Sequence, residues 1–128
     1  MIFQGIPERF PKLRLAFLEI GCTWLPYWLD RMDEHWEKRG KIETPLLKQR
    51  SSACVRQHPV YFSLEAEETL LAETFNYVGA GHLVYATDIP HWGTEFPENL
   101  HRVQSRKDFS DETKNKLLYE NAKTLYQI

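Results

Sequence analysis

The sequence predicts an α/β fold built on parallel strands, and three observations lead there. Runs rich in apolar and β-forming residues recur at Leu13 to Leu18, Val60 to Leu64 and His82 to Thr87. Between and after them apolar residues return at spacings of three and four, the period of amphipathic helices. The order is therefore strand, helix, strand, helix, strand, helix, and helical crossovers impose parallel strands. Such folds carry their chemistry at the C-terminal ends of the strands, where Glu19, Ser63 or Glu65, and Asp88 lie.

The chain has 128 residues, one domain's worth, with 27% charged and 42% hydrophobic residues and a formal net charge of −2. That balance makes no electrostatic case for nucleic acid or an anionic membrane. No apolar run approaches the ~20 residues of a membrane span. Met1 to Gly5 lacks the basic region and long apolar core of a signal peptide, so the expected compartment is the cytoplasm. Cys22 and Cys54, without CxxC spacing, fit reduced thiols. Aromatics make up 13% with four Trp, which suggests a core or pocket lined by rings.

Taken in order, Ile6 to Pro11 holds two prolines and reads as a helix end or a loop. Leu13 to Leu18, bounded by Pro11 and Gly21, is a buried strand ending on Glu19. Thr23 can cap the helix that follows, in which Leu25, Trp28, Leu29, Met32 and Trp36 form the apolar stripe to about Arg39, with Gly40 as the stop. Its other face, Asp30, Arg31, Asp33, Glu34, Glu37 and Lys38, is expected to be solvated. Lys41 to Gln57 shows no clear period beyond a short helix near Leu46 to Gln49. Val60 to Leu64 is the second strand. Glu65 to Tyr77 is expected as a helix with Glu65, Glu67 and Glu68 in its first turn, where the helix dipole favours negative charge. His82 to Thr87 is the third strand, and Ile89 to Phe109 a long loop or wound excursion. Ser110 caps the last helix, whose apolar side is Leu117, Leu118, Ala122, Leu125 and Tyr126.

At the end of the third strand stands Thr87-Asp88-Ile89-Pro90-His91-Trp92. Asp88 has no Lys or Arg beside it in sequence, so its charge needs a ligand, a metal ion or water. Glu19 repeats the arrangement before Gly21. The structural alternatives are a turn former for Asp88, an ion pair for Glu19, a turn residue for His91, and plain packing for Trp92 and Trp24. No GxGxxG or GxxxxGK[ST] loop is present, which removes the best support for nucleotide binding.

Four ordered blocks carry a family resemblance: Phe10 to Glu19, Gly21 with Trp24 to His35, Tyr85 to Trp92, and Asn121 to Tyr126. Together they resemble the C-terminal part of the amidohydrolase-related metal-dependent hydrolases, in the branch of aminocarboxymuconate-semialdehyde decarboxylase. The resemblance implies a (β/α)₈ barrel in which residues 1–128 are one partial domain supplying the last three β/α units. It implies a hydrolase or non-oxidative decarboxylase acting on a small organic acid, ester or amide. Asp88 would stand at the end of the eighth strand, as metal ligand or as the group that manages the proton of the attacking water. Glu19 stands where many members place a His after the sixth strand, and is the second candidate ligand. The ion would be zinc or manganese, with His91, Trp92 and Trp24 toward the substrate or behind the ligands.

The family's H-x-H pair and fifth-strand His fall outside these three units. The expected partners are therefore the N-terminal barrel half, in cis or in trans, a small-molecule substrate and a possible second copy. The chain by itself is expected to be inactive and to hold no metal. The rival expectation is a stand-alone α/β binding or interaction module that retains the scaffold without the chemistry.

Overall fold

Three parallel strands stand at the centre of the molecule, which a computed structural model describes over residues 1–128. Strand β1 (Leu15–Phe17), β2 (Val60–Leu64) and β3 (Leu83–Tyr85) lie in the order β1-β2-β3, with Leu15 opposite Val60 and Phe62 opposite Leu83. The α/β class and parallel direction are as expected. Every residue of β2 is buried, as befits a central parallel strand, and this explains why its sequence is an almost continuous apolar run.

The strands are shorter than the sequence suggested at both edges, where one side of the ladder has no partner. Side chains alternate. Leu15, Val60, Phe62, Leu64 and Leu83 enter one core with the helices, while Tyr61 and Val84 face the other way and are covered by Leu125. On that second face Ala16, Leu18 and Ala86 remain exposed.

Helix α1 (Ile6–Arg9) precedes β1, and α2 (Leu25–Glu43) follows it. Contrary to expectation, Gly40 does not end α2. The Trp36 ring lies over it, so close that a Cβ would meet Cδ1 at 2.9 Å, and Gly is what lets the ring pack there. Asp33 is also not solvated. It continues the Leu25–Leu29 stripe at i+4 and is buried, accepting from the Ser52 amide at 2.9 Å and the Ser52 hydroxyl at 2.5 Å. That carboxylate caps α3 (Ser51–Gln57), which replaces the short helix expected near Leu46 to Gln49. The outer face of α2 carries the Glu34–Arg31, Glu34–Lys38 and Glu43–Arg39 ion pairs, exposed to solvent and screened by it.

Helix α4 (Leu71–Val78) begins six residues later than the Glu65 start predicted, so the glutamates before it belong to a loop. A single 3-10 turn (Ala80–His82) leads into β3. The excursion after β3 contains α5 (Glu98–Ser105), and Ser110 caps the closing rod as expected, its hydroxyl accepting from the Thr113 amide at 3.2 Å. The rod runs as α6 (Asp111–Asn115), a π turn (Lys116–Glu120) and α7 (Asn121–Tyr126). Asn121 donates to the carbonyls of Ala80 at 2.6 Å and Leu83 at 2.7 Å, tying the rod to the start of β3. No helix is long and apolar enough to cross a membrane.

Candidate functional site at the strand ends

The carboxylates expected at the C-terminal edge of the sheet come together there. A cavity of about 280 Å³ is lined by Glu19 beyond β1, Ser63 and Glu65 at the end of β2, Tyr85 and Asp88 around the end of β3, and Asn99 of α5. A shallower cleft adjoins it and joins Glu19, Glu65 and Asp88 to His91.

Glu19 and Asp88 are both in the left-handed backbone region, with φ of 61° and 60°. For side-chain-bearing residues that costs about 1 kcal/mol or more each, and such conformations gather at functional sites. Glu19 is held in place by its amide, which donates to the Ser63 hydroxyl at 2.9 Å across to β2. Both carboxylates, one from the loop after each edge strand, line one cleft. The far wall is α5: the Tyr85 hydroxyl donates to Asn99 Oδ1 at 2.8 Å, and Arg102 bridges Glu67 at 2.6 Å and Glu95 at 2.9 Å.

Beneath the cleft sits a carboxylate that sequence reasoning misplaced. Glu68 was expected in the first turn of its own helix. Instead its Oε1 accepts from the Cys22 amide at 2.8 Å, the Thr23 amide at 2.8 Å and the Thr23 hydroxyl at 2.9 Å. Its Oε2 accepts from the Glu65 amide at 3.0 Å and the Cys22 thiol at 3.4 Å. Thr23 is therefore a donor to Glu68 and not a cap: Trp24 holds the cap position of α2 without a side-chain bond. One anion takes the free amides ahead of α2 and fastens the loop after β1 to the loop after β2. Burial pushes the Glu68 carboxyl up, but the Glu65, Thr23 and Cys22 donors together outweigh it and hold its pKa below the ordinary glutamate value.

Glu65 shows the opposite balance. Partial burial, then the charges of Glu68, Asp88, Glu67 and Glu19, push its pKa above the ordinary value. A raised carboxyl pKa means that the folded state resists ionisation, so the penalty is absent at low pH and enters as pH rises through the unfolded value toward the folded one. Glu65→Gln is expected to raise the thermal midpoint at pH 7 and to leave it nearly unchanged at pH 4, read by calorimetry at the two pH values. Glu65 was legible as a strand-end carboxylate. Glu68 carried no sequence signal that separated it from its acidic neighbours.

The other predicted site residues divide. His91 lines the outer cleft, its Nδ1 accepting from the Gly93 amide at 3.3 Å. Trp92 is 92% exposed, touching the His91 ring with 5.3 Å between centroids. Trp24 lies away from the cleft: its indole meets Phe62 edge-on, and its Nε1 donates to the carbonyls of Gly21 at 3.0 Å and Ile20 at 3.1 Å. Both cysteines are free and buried. Burial, then Glu68, pushes the Cys22 thiol far up, and burial, then Glu8, pushes Cys54 up to about 11, so neither forms the thiolate a nucleophile needs.

Carboxylate oxygens are suitable donors for manganese or zinc. Nevertheless no three His, Cys, Asp or Glu side chains of this chain gather at ligand spacing. The residues present match a divalent ion in chemistry and fall short of it in number.

A family model described as amidohydrolase matches residues 1–128. The chain belongs to the amidohydrolase family. Among solved structures, this amidohydrolase chain is similar to 5-carboxyvanillate decarboxylase from Sphingomonas paucimobilis, at 21% identity and a TM-score of 0.82 over 100% of this chain and 38% of that one. It is similar to the 5-carboxyvanillate decarboxylase of Novosphingobium aromaticivorans, at 22% identity and a TM-score of 0.81 over 99% and 37%. That structure contains manganese and 3-methoxy-4-hydroxy-5-nitrobenzoic acid. A dihydroxybenzoic acid decarboxylase from Polaromonas, with manganese and 2-nitroresorcinol bound, matches at 18% identity and a TM-score of 0.72 over 98% and 37%. At these identities the likeness speaks for the fold. The amidohydrolase chain spans between 31% and 40% of the solved relatives' own length.

Proposed function

We propose that residues 1–128 act as the last three β/α units of a metal-dependent (β/α)₈ barrel, an amidohydrolase-family hydrolase or non-oxidative decarboxylase of small organic molecules. The observation that carries this is the convergence of Glu19, Glu65 and Asp88, one from each strand end, on a single cleft. Two of them are held there in left-handed backbone. The family match and the decarboxylases among the solved relatives support the same reading.

In this reading Asp88 and Glu19 are oxygen donors to a divalent ion whose remaining ligands come from strands outside this chain. Glu65 stands between them just past the central strand, its pKa raised above the ordinary value by partial burial and by the neighbouring carboxylates. His91 and the exposed Trp92 belong to the loop that borders the substrate. The manganese in two relatives makes manganese the ion to test first, with zinc beside it.

The chain alone is expected to take up no stoichiometric manganese, measured by metal analysis after size-exclusion chromatography. An assembly with complementing barrel strands is expected to take up one ion, and Asp88→Asn to lower its manganese affinity by more than the roughly tenfold to hundredfold that loss of an outer-shell partner costs. A monomer of the chain that holds one tightly bound ion would sink the proposal.

The lack of any three-ligand cluster favours a second reading, a binding module that keeps the scaffold without the chemistry. Its mark would be cooperative unfolding of the isolated chain and ligand binding that survives Asp88→Ala.

A further inference from the structure

On the α5 wall of the cleft stands an amide whose orientation is settled by its neighbours. Asn99 lies one helical turn before Val103, which is buried, and so on the inward face of α5. Its Oδ1 accepts from the Leu100 amide at 2.8 Å and from the Tyr85 hydroxyl at 2.8 Å. A backbone N–H can only donate, so the atom it meets is the side-chain oxygen and not the nitrogen. Tyr85 is then a donor as well, and burial, followed by the charge of Glu67, raises its pKa and keeps the proton on it. Both acceptor positions of Oδ1 are filled, while Nδ2 and its two protons make no hydrogen bond within the chain, and Asn99 lines the cavity.

The rest of the lining shows what those protons can meet. The charged groups around the cavity are Glu19, Glu65, Glu67, Asp88 and Glu95, all acidic. No Lys or Arg lines it, and Arg102 of α5 is paired with Glu67 and Glu95. Among the uncharged donors, the Thr94 hydroxyl donates to the Thr87 carbonyl, and the Ser63 hydroxyl sits beside the Glu19 amide. A carboxylate brought against Asn99 would face Glu67 and Glu95 with no free cation to hold it. An uncharged carbonyl oxygen accepts the same protons without that repulsion.

We propose that Asn99 is a specificity-determining residue of this cleft, whose Nδ2 donates to an uncharged carbonyl oxygen of the substrate, such as a small amide or ester presents. Tyr85 is the positioning residue that holds the Asn99 amide in that sense. The inference rests on reading the cleft as the substrate's site and adds which oxygen chemistry the α5 wall accepts.

Three probes of one shape separate the charges: benzamide is neutral, benzoate is an anion, and benzamidinium is a cation without a carbonyl. Titrated into the nitrogen-labelled chain at millimolar concentration, benzamide is expected to move the Asn99 side-chain NH₂ signals in NMR spectra. It is expected to bind roughly tenfold or more tightly than benzoate. Asn99→Asp keeps an acceptor for Leu100 and Tyr85 and removes the donors, and should weaken benzamide roughly fivefold or more. Benzamidinium, which offers Asn99 no acceptor, should bind Asn99→Asp no less tightly than the parent, which shows that the cleft is intact. Tyr85→Phe lets the amide turn over and should weaken benzamide severalfold while leaving benzamidinium alone. Benzamide that does not bind, that leaves the Asn99 signals unmoved, or that binds Asn99→Asp as tightly as the parent would overturn the assignment. Uptake of manganese by the complemented barrel with benzamide indifferent to Asn99 would fell this assignment alone. Benzamide held by Asn99 without manganese uptake would fell the barrel reading alone.

Discussion

Glu68→Ala is expected to destabilise the chain by about 2–4 kcal/mol, measured by urea unfolding at pH 7. The substitution strips the acceptor from the amides of Cys22, Thr23 and Glu65 and from the side chains of Cys22 and Thr23. Cys22 is fully buried, so its amide gains little water in return. The void then opens beneath Gly21, where a Cβ would now stand 2.6 Å from the Glu68 carboxylate. Both loops that carry cleft residues, Glu19 after β1 and Glu65 after β2, lose their common anchor.

Glu68→Gln is expected to cost less, because an amide oxygen can still serve Cys22 and Thr23 while its NH₂ faces the Glu65 amide, donor to donor. The pH dependence follows from the sign of the shift. The folded pKa of Glu68 lies below its unfolded value of ~4.3, so its stabilisation is complete above that value and is lost as pH falls through the folded one. The difference between parent and Glu68→Ala should therefore shrink below about pH 4. A difference that stays constant down to pH 3 would mean that the carboxylate charge is not what holds the loops.

The second large effect is expected at Gly5. A Cβ there would lie 2.2 Å from the Leu46 carbonyl oxygen and 2.7 Å from its carbon, and the residue sits at φ +61°. Backbone cannot yield as a long side chain does, and the left-handed conformation adds about 1 kcal/mol for alanine. Gly5→Ala is expected to cost about 3 kcal/mol in total and to lower the thermal midpoint by several degrees. Gly81→Ala is the control: a Cβ there would meet nothing within 4 Å, and the midpoint should barely move. Equal effects at the two glycines would refute the close approach of Gly5 to Leu46.

Much of the architecture was legible in the residues. The three apolar runs became β1, β2 and β3 in parallel, Ser110 capped the last helix, and the strand ends delivered Glu19 and Asp88 to one edge. These features depend on short-range rules: side-chain period, turn residues and the reach of a crossover helix. Where those rules met a tertiary partner they gave way. Gly40 stayed inside α2 because Trp36 covers it, and the helix expected from Glu65 waited until Leu71 because Glu68 was engaged with the turn before α2.

What the sequence by itself determined is the order of the elements and which carboxylates stand at strand ends, since period and punctuation are local. Only the tertiary structure decided which acid faces the cleft and which supports it from beneath, because Glu65, Glu67 and Glu68 are alike in sequence and differ in what the β1 loop brings to them. It likewise placed Trp24 beside Phe62 instead of beside Asp88. The physical reason is the same for both: a side chain's role depends on the donors and surfaces that distant segments present to it, and those exist only once the sheet has brought β1, β2 and β3 together.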